Sequence, residues 1–305
     1  MSDDAVFADA MALREIEASE GGPVYEAQLS AHWTIGPKVH GGMMLALCAA
    51  AARAALGGEA QPVAVSANFL WAPSPGPMRL ETLVRKRGRR INLVDVELRQ
   101  GDRVADERSR EEYRASDERS REEYRASDER SREEYRTAVR AEVTLGPPEH
   151  GEPPLLSANP VPTLMPPEPP AELAPIGPGH PSADVMNLWA GCDIRPDLST
   201  YTRPADGSAP RFQLWIRPRD AAPDVLFALM AGDISAPVTF AVDRFGWAPT
   251  VQMTAYLRGM PSDGWLRVLC TTTEIGRDWF DADHVVVDST GRLVVQTRQL
   301  ALVPD

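Results

Sequence analysis

The chain has 305 residues, of which 43% are hydrophobic, so it is long enough for one large globular core or two ordinary ones. Its net charge of −12 argues against general binding to nucleic acids or membrane surfaces. The acidic N-terminus lacks the apolar core of a secretory signal, and the longest apolar run, Met43 to Ala52, is too short to span a bilayer. We therefore expect a cytoplasmic protein that binds neither nucleic acid nor membrane.

The first half of the chain begins with an apolar helical pattern. GGMMLALCAAAARAAL, residues 41–56, is apolar on almost every side, which predicts a helix buried in the core. PVAVSANFL (62–70), PGPMRLETLVRK and INLVDVELRQ follow it, and in these runs apolar and polar residues alternate as in half-buried strands. One helix followed by several antiparallel strands is the expected arrangement.

An eleven-residue repeat interrupts this half. DERSREEYRAS starts at Asp106 and again at Asp117, and a third copy from Asp128 ends in TA instead of AS. Without residues 106–136 the chain reads RVATAVRAEVTL, which matches the final RLVVQTRQLALV in length, so the block is an insertion into a strand or its leading hairpin. It has no apolar face, but its charges can pair at helical spacing. A solvated helical arm is favoured over a partner-binding device.

Proline dominates residues 147–181, which predicts an extended linker. Beyond it the order of the first half recurs. A helical pattern, PDVLFALMAGDISAPVTF (223–240), precedes PTVQMTAYL (249–257), SDGWLRVLCTTTEI, DADHVVVDST and RLVVQTRQLALV.

The two similar halves predict an α+β fold of two tandem units, in each of which an antiparallel sheet wraps round a helix. The first unit spans residues 1–146 and carries the charged helical insertion 106–136, the linker spans 147–181, and the second unit spans 182–305.

The three cysteines, Cys48, Cys192 and Cys270, lie far apart without metal-ligand spacing, so we expect buried free thiols of a reducing compartment. The chain has no P-loop, no G-x-S-x-G and no H-E-x-x-H, which argues against most nucleotide, serine-hydrolase and zinc sites.

Three stretches together resemble the acyl-CoA thioesterase II (TesB-like) family of hotdog thioesterases: VHGGMMLALCAAAA, PTVQMTAYLRG and GRLVVQTRQLALV. The likeness covers roughly residues 24–105 and 137–305. It implies two tandem hotdog units whose sheets join around two helices. It also implies hydrolysis of fatty acyl-CoA to free acid and CoA by an activated water, with no metal, no cofactor and no covalent intermediate.

In this family a water is held by an Asp from the second helix, a Ser or Thr on the following strand and a Gln on the last strand. The resemblance therefore implies catalytic roles for Asp233, Thr250 and Gln299. Asp233 is the only acid in the apolar stretch 225–241, and a carboxylate buried there needs hydrogen-bond partners. Alternatively, Asp233 caps a further helical segment, since GDIS resembles a helix break.

The hydroxyl on the following strand is less strictly defined. The family pattern there is Thr-x-Asp-x-Ser, and this chain has Gln252 in place of the Asp. Thr250, Gln252 and Thr254 are expected to share one strand face, so Thr254 is the alternative to Thr250.

Gln299 could also be a plain strand residue, and its counterpart in the first half is Glu142. The first helix has no acid between Gly41 and Ala52, so one site per chain, mainly in the second half, is expected.

Two further motifs suggest substrate binding. In VHGG, the backbone N–H groups of Gly41 and Gly42 at a helix N-terminus suit a thioester oxygen or a phosphate; alternatively the glycines only permit close packing, and His40 is a surface residue. In RKRGRR, Arg87 and Arg89 suit the phosphates of CoA; alternatively this is an ordinary solvated turn.

Three functions are compatible with these residues. The first is an acyl-CoA thioesterase, acting as a homo-oligomer in fatty acid metabolism. The second is a non-catalytic acyl or acyl-CoA binding protein, which Gln252 in place of an acid keeps open. The third is a hotdog dehydratase or hydratase, which would need an Asp and a His close together on one half, and the sequence shows no such pair near the second helix.

Overall fold

The computed structural model describes residues 6–19, 21–101, 135–147, 149, 152–219 and 221–304. Strands dominate these residues. In chain order they are β1 (Arg14–Ser19), β2 (Gly22–Leu29), β3 (Thr34–Ile35), β4 (Lys38–Val39), β5 (Gln61–Phe69), β6 (Gly76–Lys86), β7 (Asn92–Gly101), β8 (Tyr135–Gly146), β9 (Cys192–Asp197), β10 (Arg211–Pro218), β11 (Thr250–Leu257), β12 (Leu266–Thr271), β13 (Trp279–Val287) and β14 (Leu293–Leu302). The helices are α1 (Phe7–Ala10), α2 (Gly41–Ala55), α3 (Val161–Leu164) and α4 (Val225–Ala231).

Twelve of the strands form one continuous sheet, in the order β1-β2-β6-β7-β8-β5-β11-β14-β13-β12-β10-β9. The two halves of the chain join where β5 pairs antiparallel with β11, with Ser66 opposite Thr254. The prediction of an α+β fold, with two tandem units of antiparallel sheet round a helix, is confirmed.

The central helix of the first half is buried as predicted. Twelve of the fifteen residues of α2 are buried, and they include the alanine run 49–52. All seven residues of α4 are buried too, and α4 packs against α2. The two helices therefore form one apolar layer inside the curved sheet, and the N-terminus of α2 meets the C-terminal end of α4.

The second helix is shorter than the predicted stretch 223–240. The Asp224 side chain caps its start by accepting from the Phe227 N–H at 2.7 Å, and the helix ends at Ala231. A short 3-10 helix, Val238–Val242, begins only after Pro237. Proline lacks an N–H and disfavours a helical residue before it, so residues 232–237 form a turn instead.

The repeat block lies between β7 and β8, because Gly101 at the end of one strand pairs with Tyr135 at the start of the other. The sequence allowed an insertion within a strand or within the hairpin that leads into it, and the described residues agree with the hairpin. Tyr135 and Arg136, which the sequence assigned to the block, belong to β8. The predicted helical arm itself lies outside the described residues.

The proline-rich segment predicted as a linker packs against the second half. Val161 and Met165 are buried beside Trp215 on the outer face of the sheet. The Trp215 indole N–H donates to the Pro166 carbonyl at 2.9 Å, and the Arg267 guanidinium donates to the Met165 carbonyl at 3.0 Å. These bonds satisfy buried donors and hold the segment in place.

The three cysteines are buried and unpaired, as predicted. In the part of the chain that the structure describes, every helix is too short or too polar to cross a membrane.

Candidate active site

A cavity of about 580 Å³ opens between the halves, where the N-terminus of α2 meets the turn after α4. Its walls are mostly apolar and come from both halves, for example Phe69 and Trp71 from the first and Phe240 and Phe280 from the second. A cavity of this size and character suits a small organic ligand with a long apolar part.

Six of the residues that line this cavity have hydroxyl, amide, imidazole or carboxyl side chains. They are His40, Ser182, Asp233, Ser235, Thr250 and Gln299. The structure thus brings together all three residues implied by the family resemblance, and it adds His40, Ser182 and Ser235.

Asp233 lies in the turn after α4, with a side chain that is 10% exposed. Burial raises the pKa of its carboxyl group, while the charge of His40 and the backbone N–H of Gly42, which donates to the carboxylate, lower it. The next helical segment begins at Val238 with Pro237 at its N-cap, so Asp233 does not cap it. The capping alternative is therefore wrong.

The two glycines of VHGG allow the helix to approach this carboxylate. A Cβ at Gly41 would lie 2.7 Å from Asp233 Oδ2, and a Cβ at Gly42 would lie 2.5 Å from the Met230 carbonyl oxygen. Any larger residue would push the turn and the helix apart. The N-terminal end of α2, which is the positive end of the helix dipole, therefore borders the carboxylate and the cavity.

His40 is buried, with 5% of its surface exposed, so the surface alternative is wrong. Its Nε2 lies 3.0 Å from the Asp233 carbonyl oxygen and 3.6 Å from Asp233 Oδ2. A carbonyl can only accept, so Nε2 carries the proton and donates. Its Nδ1 has no hydrogen-bond partner among the described residues.

Thr250 and Gln299 meet across β11 and β14. The Thr250 hydroxyl donates to Gln299 Oε1 at 2.8 Å. The bond orients the amide of Gln299, whose other end carries two N–H donors, and both residues line the cavity.

The prediction that Thr250, Gln252 and Thr254 share one strand face is wrong for Thr250, whereas Gln252 and Thr254 do share a face, since Gln252 Nε2 donates to the Thr254 hydroxyl at 3.1 Å. β11 carries a bulge, because Thr250 pairs with Ala301 while Gln252 pairs with the next residue, Leu300, so Val251 is extra. A one-residue insertion flips the face, which turns Thr250 inward. Thr254 lies on the outer face, 3.1 Å from the Ser66 hydroxyl, away from the cavity.

The structure does not bring Arg87 and Arg89 to the cavity. Arg87 donates to the Ala55 carbonyl at 3.2 Å, at the C-terminal end of α2. Gly41 stands at the other end, about 21 Å away at 1.5 Å per residue. A role for RKRGRR in binding CoA at this cavity finds no support in the single chain.

Taken together, a sheet wrapped round two helices, with a carboxylate, an amide and a helix N-terminus at an apolar cavity, defines a double hotdog protein with a hydrolase-like site. Residues 29–110 match the N-terminal domain of the acyl-CoA thioesterase family, and residues 164–303 match its C-terminal domain. The chain belongs to the acyl-CoA thioesterase family.

The chain is also similar to a curated protein and to solved structures. An uncharacterised protein of Mycobacterium tuberculosis is 56% identical over 321 aligned positions, which cover 99% of both chains. A candidate thioesterase II from Thermobifida fusca is similar in structure, with a TM-score of 0.72, 23% identity, and coverage of 98% of this chain and 97% of that one. The acyl-CoA thioesterase II TesB2 of Mycobacterium marinum has a TM-score of 0.62, 15% identity, and coverage of 97% and 96%. At these identities the structural likeness establishes the hotdog fold.

Proposed function

We propose that this chain hydrolyses fatty acyl-CoA thioesters by direct attack of a water molecule that Asp233 activates. One observation carries the proposal: a buried carboxylate faces an apolar cavity together with the Thr250–Gln299 pair. Thioester hydrolysis needs a base for water, donors for the developing oxyanion and a place for the acyl chain.

Each part of the reaction has a residue to perform it. Asp233 accepts a proton from water as the water oxygen attacks the thioester carbon. The negative charge that develops on the carbonyl oxygen suits the backbone N–H at Gly41, at the positive end of α2, or the amide of Gln299. The C–S bond then breaks, and the thiolate of CoA takes up the proton that Asp233 accepted from water, which restores the carboxylate.

The experiment that tests this function is a thiol-release assay over acyl-CoAs of graded chain length. The apolar walls predict turnover that improves as the acyl chain lengthens and fills the cavity. Tight binding of acyl-CoA without release of free thiol would instead support the non-catalytic binding protein.

Substitutions of the hydroxyl–amide pair should act on turnover. We expect Thr250→Val and Gln299→Ala each to lower kcat by about 10-fold or more while KM changes less, because both act on water and oxyanion rather than on the acyl chain. Thr254→Val is the matched control, since it removes a similar hydroxyl from the outer face of the same strand. Steady-state kinetics decide, and a pure KM effect at Thr250 or Gln299 would count against these roles.

Among the described residues, Lys38 and Arg136 lie beside the residues that line the cavity, and the predicted arginines do not. The Arg136 guanidinium stacks 4.8 Å from the ring centroid of Trp71, which lines the cavity. Lys38 precedes a lining residue, and its Nζ lies 3.5 Å from the Ser74 hydroxyl. Buried Gln100 holds that loop, donating to the Ser74 carbonyl at 2.8 Å. Both cations can meet the phosphates of CoA.

We therefore expect Arg136→Gln and Lys38→Gln to raise KM for acyl-CoA about fivefold, the equivalent of about 1 kcal/mol per exposed contact. KM for the matching acyl-pantetheine, which has no phosphates, should not change. Arg89→Gln removes an equal charge far from the cavity and serves as control. If only Arg89→Gln raised KM for acyl-CoA, the phosphates would bind at RKRGRR instead.

A second candidate function is hydration of an enoyl thioester or the reverse dehydration. The sequence shows no Asp–His pair within one half, but a pair forms between the two halves: His40 Nε2 lies 3.6 Å from Asp233 Oδ2 at the cavity. A carboxylate and an imidazole side by side can serve as base and acid. Interconversion of 3-hydroxyacyl-CoA and enoyl-CoA, followed by ultraviolet absorbance, would support this function, and thiol release without it would exclude it.

A further inference from the structure

A chain of three side chains runs from the cavity into the sheet behind Asp233. The Ser235 hydroxyl lies 2.8 Å from His284 Nε2, and His284 Nδ1 lies 3.1 Å from the Thr297 hydroxyl. The Thr297 hydroxyl donates to the Gly232 carbonyl at 2.6 Å. This chain therefore begins at Ser235, two residues after Asp233, and ends at Gly232, directly before it.

The direction of every proton in this chain is fixed by chemistry. The Gly232 carbonyl can only accept, so Thr297 spends its proton there and must accept from His284 Nδ1–H. A neutral imidazole with its proton on Nδ1 accepts at Nε2, so the Ser235 hydroxyl donates to it. His284 is 1% exposed, and burial lowers its pKa to about 4, which keeps it in this neutral form at ordinary pH.

A serine that donates to a histidine can be an activated nucleophile or a fixed structural hydroxyl. Activation requires the imidazole to take up the serine proton and become a cation. A base with a pKa of about 4 in an apolar interior is poorly suited to that task. The alternative is mechanical: the bonds tie the turn on both sides of Asp233 to β13 and β14.

Packing agrees with the mechanical role. A Cβ at Gly232 would lie 2.6 Å from Thr297 Cγ2, so the turn rests directly on this strand. Movement of the turn would carry Asp233 away from the N-terminus of α2 and from His40.

We propose that His284 is a positioning residue, which acts through Ser235 and Thr297 to hold the Asp233 carboxylate against the Gly42 N–H and His40. The kinetic part of this inference rests on the proposed function. The position of the Asp233 carboxylate does not depend on the proposed function, and the titration of this carboxylate reports on it.

Two charged groups among the described residues act on His284. Asp283 precedes it in β13 and is bound to Arg298 at 2.5 Å on the outer face. The charge of Asp283 raises the pKa of His284, and that of His40 lowers it. Cys270 lies opposite His284 on β12, and burial raises the pKa of its thiol to about 12, so it stays neutral.

The test is a carbon-13 NMR titration of the Asp233 carboxyl in aspartate-labelled protein, with the signal assigned by its loss in Asp233→Asn. Thr297→Val and Ser235→Ala should move this titration to higher pH, because the carboxylate loses the His40 charge and the Gly42 N–H, which lower its pKa. The acid limb of kcat should move with it, and kcat should fall about 10- to 100-fold with little change in KM.

Thr239→Val is the matched control. Thr239 is also fully buried in the second half, and its hydroxyl donates to a backbone carbonyl, that of Arg244, at 3.0 Å. It should cost comparable stability and leave the Asp233 titration unchanged. An unmoved titration in both Thr297→Val and Ser235→Ala, or a shift equal to that of the control, would overturn the proposal. Acylated Ser235 found by mass spectrometry would replace it with the nucleophile. If the wild type releases no thiol, the proposed function fails, and the titration still decides this inference.

Discussion

Replacing Asp233 by asparagine is expected to lower kcat for acyl-CoA hydrolysis by about 10²-fold or more, while the fold survives. Asparagine has the same shape and can still accept the Gly42 N–H, but it is not an anionic base. Because burial raises the pKa of the Asp233 carboxyl group, kcat of the wild type should fall as the pH is lowered, and this loss should begin at a higher pH than for an ordinary aspartate. Steady-state kinetics over acyl-CoA, measured as a function of pH, check both statements.

The same substitution should leave the protein equally stable or more stable at neutral pH. A carboxyl group whose folded-state pKa is raised binds its proton more tightly in the folded state, so its ionisation destabilises the fold as pH rises through that window. Asparagine removes this cost. Asp184→Asn, an identical change at an exposed position beside the cavity, is the control for both activity and melting temperature. Turnover of Asp233→Asn within a few-fold of wild type would rule out Asp233 as the base.

The second large effect is expected at Gly41. A methyl group there would overlap Asp233 Oδ2, at 2.7 Å, and displace the carboxylate from the helix N-terminus. Displacement of a catalytic group by about 1 Å costs on the order of 10²-fold in rate, so Gly41→Ala should reduce kcat about that much. The cavity itself stays open, so acyl-CoA binding should persist.

Gly177→Ala is the control for this experiment, since no atom lies within 4 Å of the added methyl group. Its kcat and melting temperature should match the wild type. Near-normal turnover by Gly41→Ala would mean that the close approach of helix and carboxylate is packing alone.

The fold could be predicted because it depends on local patterns. The helical stretch at 41–56 is apolar on all sides, and the alternation in β7 buries Val94, Val96 and Leu98 on one face. The internal repetition of helix and strands then gave the two halves. Neither pattern reveals a bulge, because one extra residue at Val251 leaves the composition of the strand unchanged.

The site was predicted in part. Asp233 and Gln299 followed from the family resemblance, and the isolation of one acid in an apolar stretch supported the first. The pairing of His40 with Asp233 joins residues 193 positions apart, and no spacing in the sequence signals such a contact. A signal for His284 does exist in the sequence, because it is a histidine at an inward-facing position of an otherwise apolar strand. The homo-oligomer, the cytoplasmic location and the roles assigned to the site residues stay predictions.

The most direct test of the account is a single turnover of acyl-CoA in water labelled with oxygen-18, followed by mass spectrometry of the released acid and of the protein. If the water that Asp233 activates attacks the thioester carbon directly, the label enters the fatty acid, and the protein keeps its unmodified mass throughout. Label in the Asp233 carboxylate, an acylated protein, or the absence of released acid would contradict it.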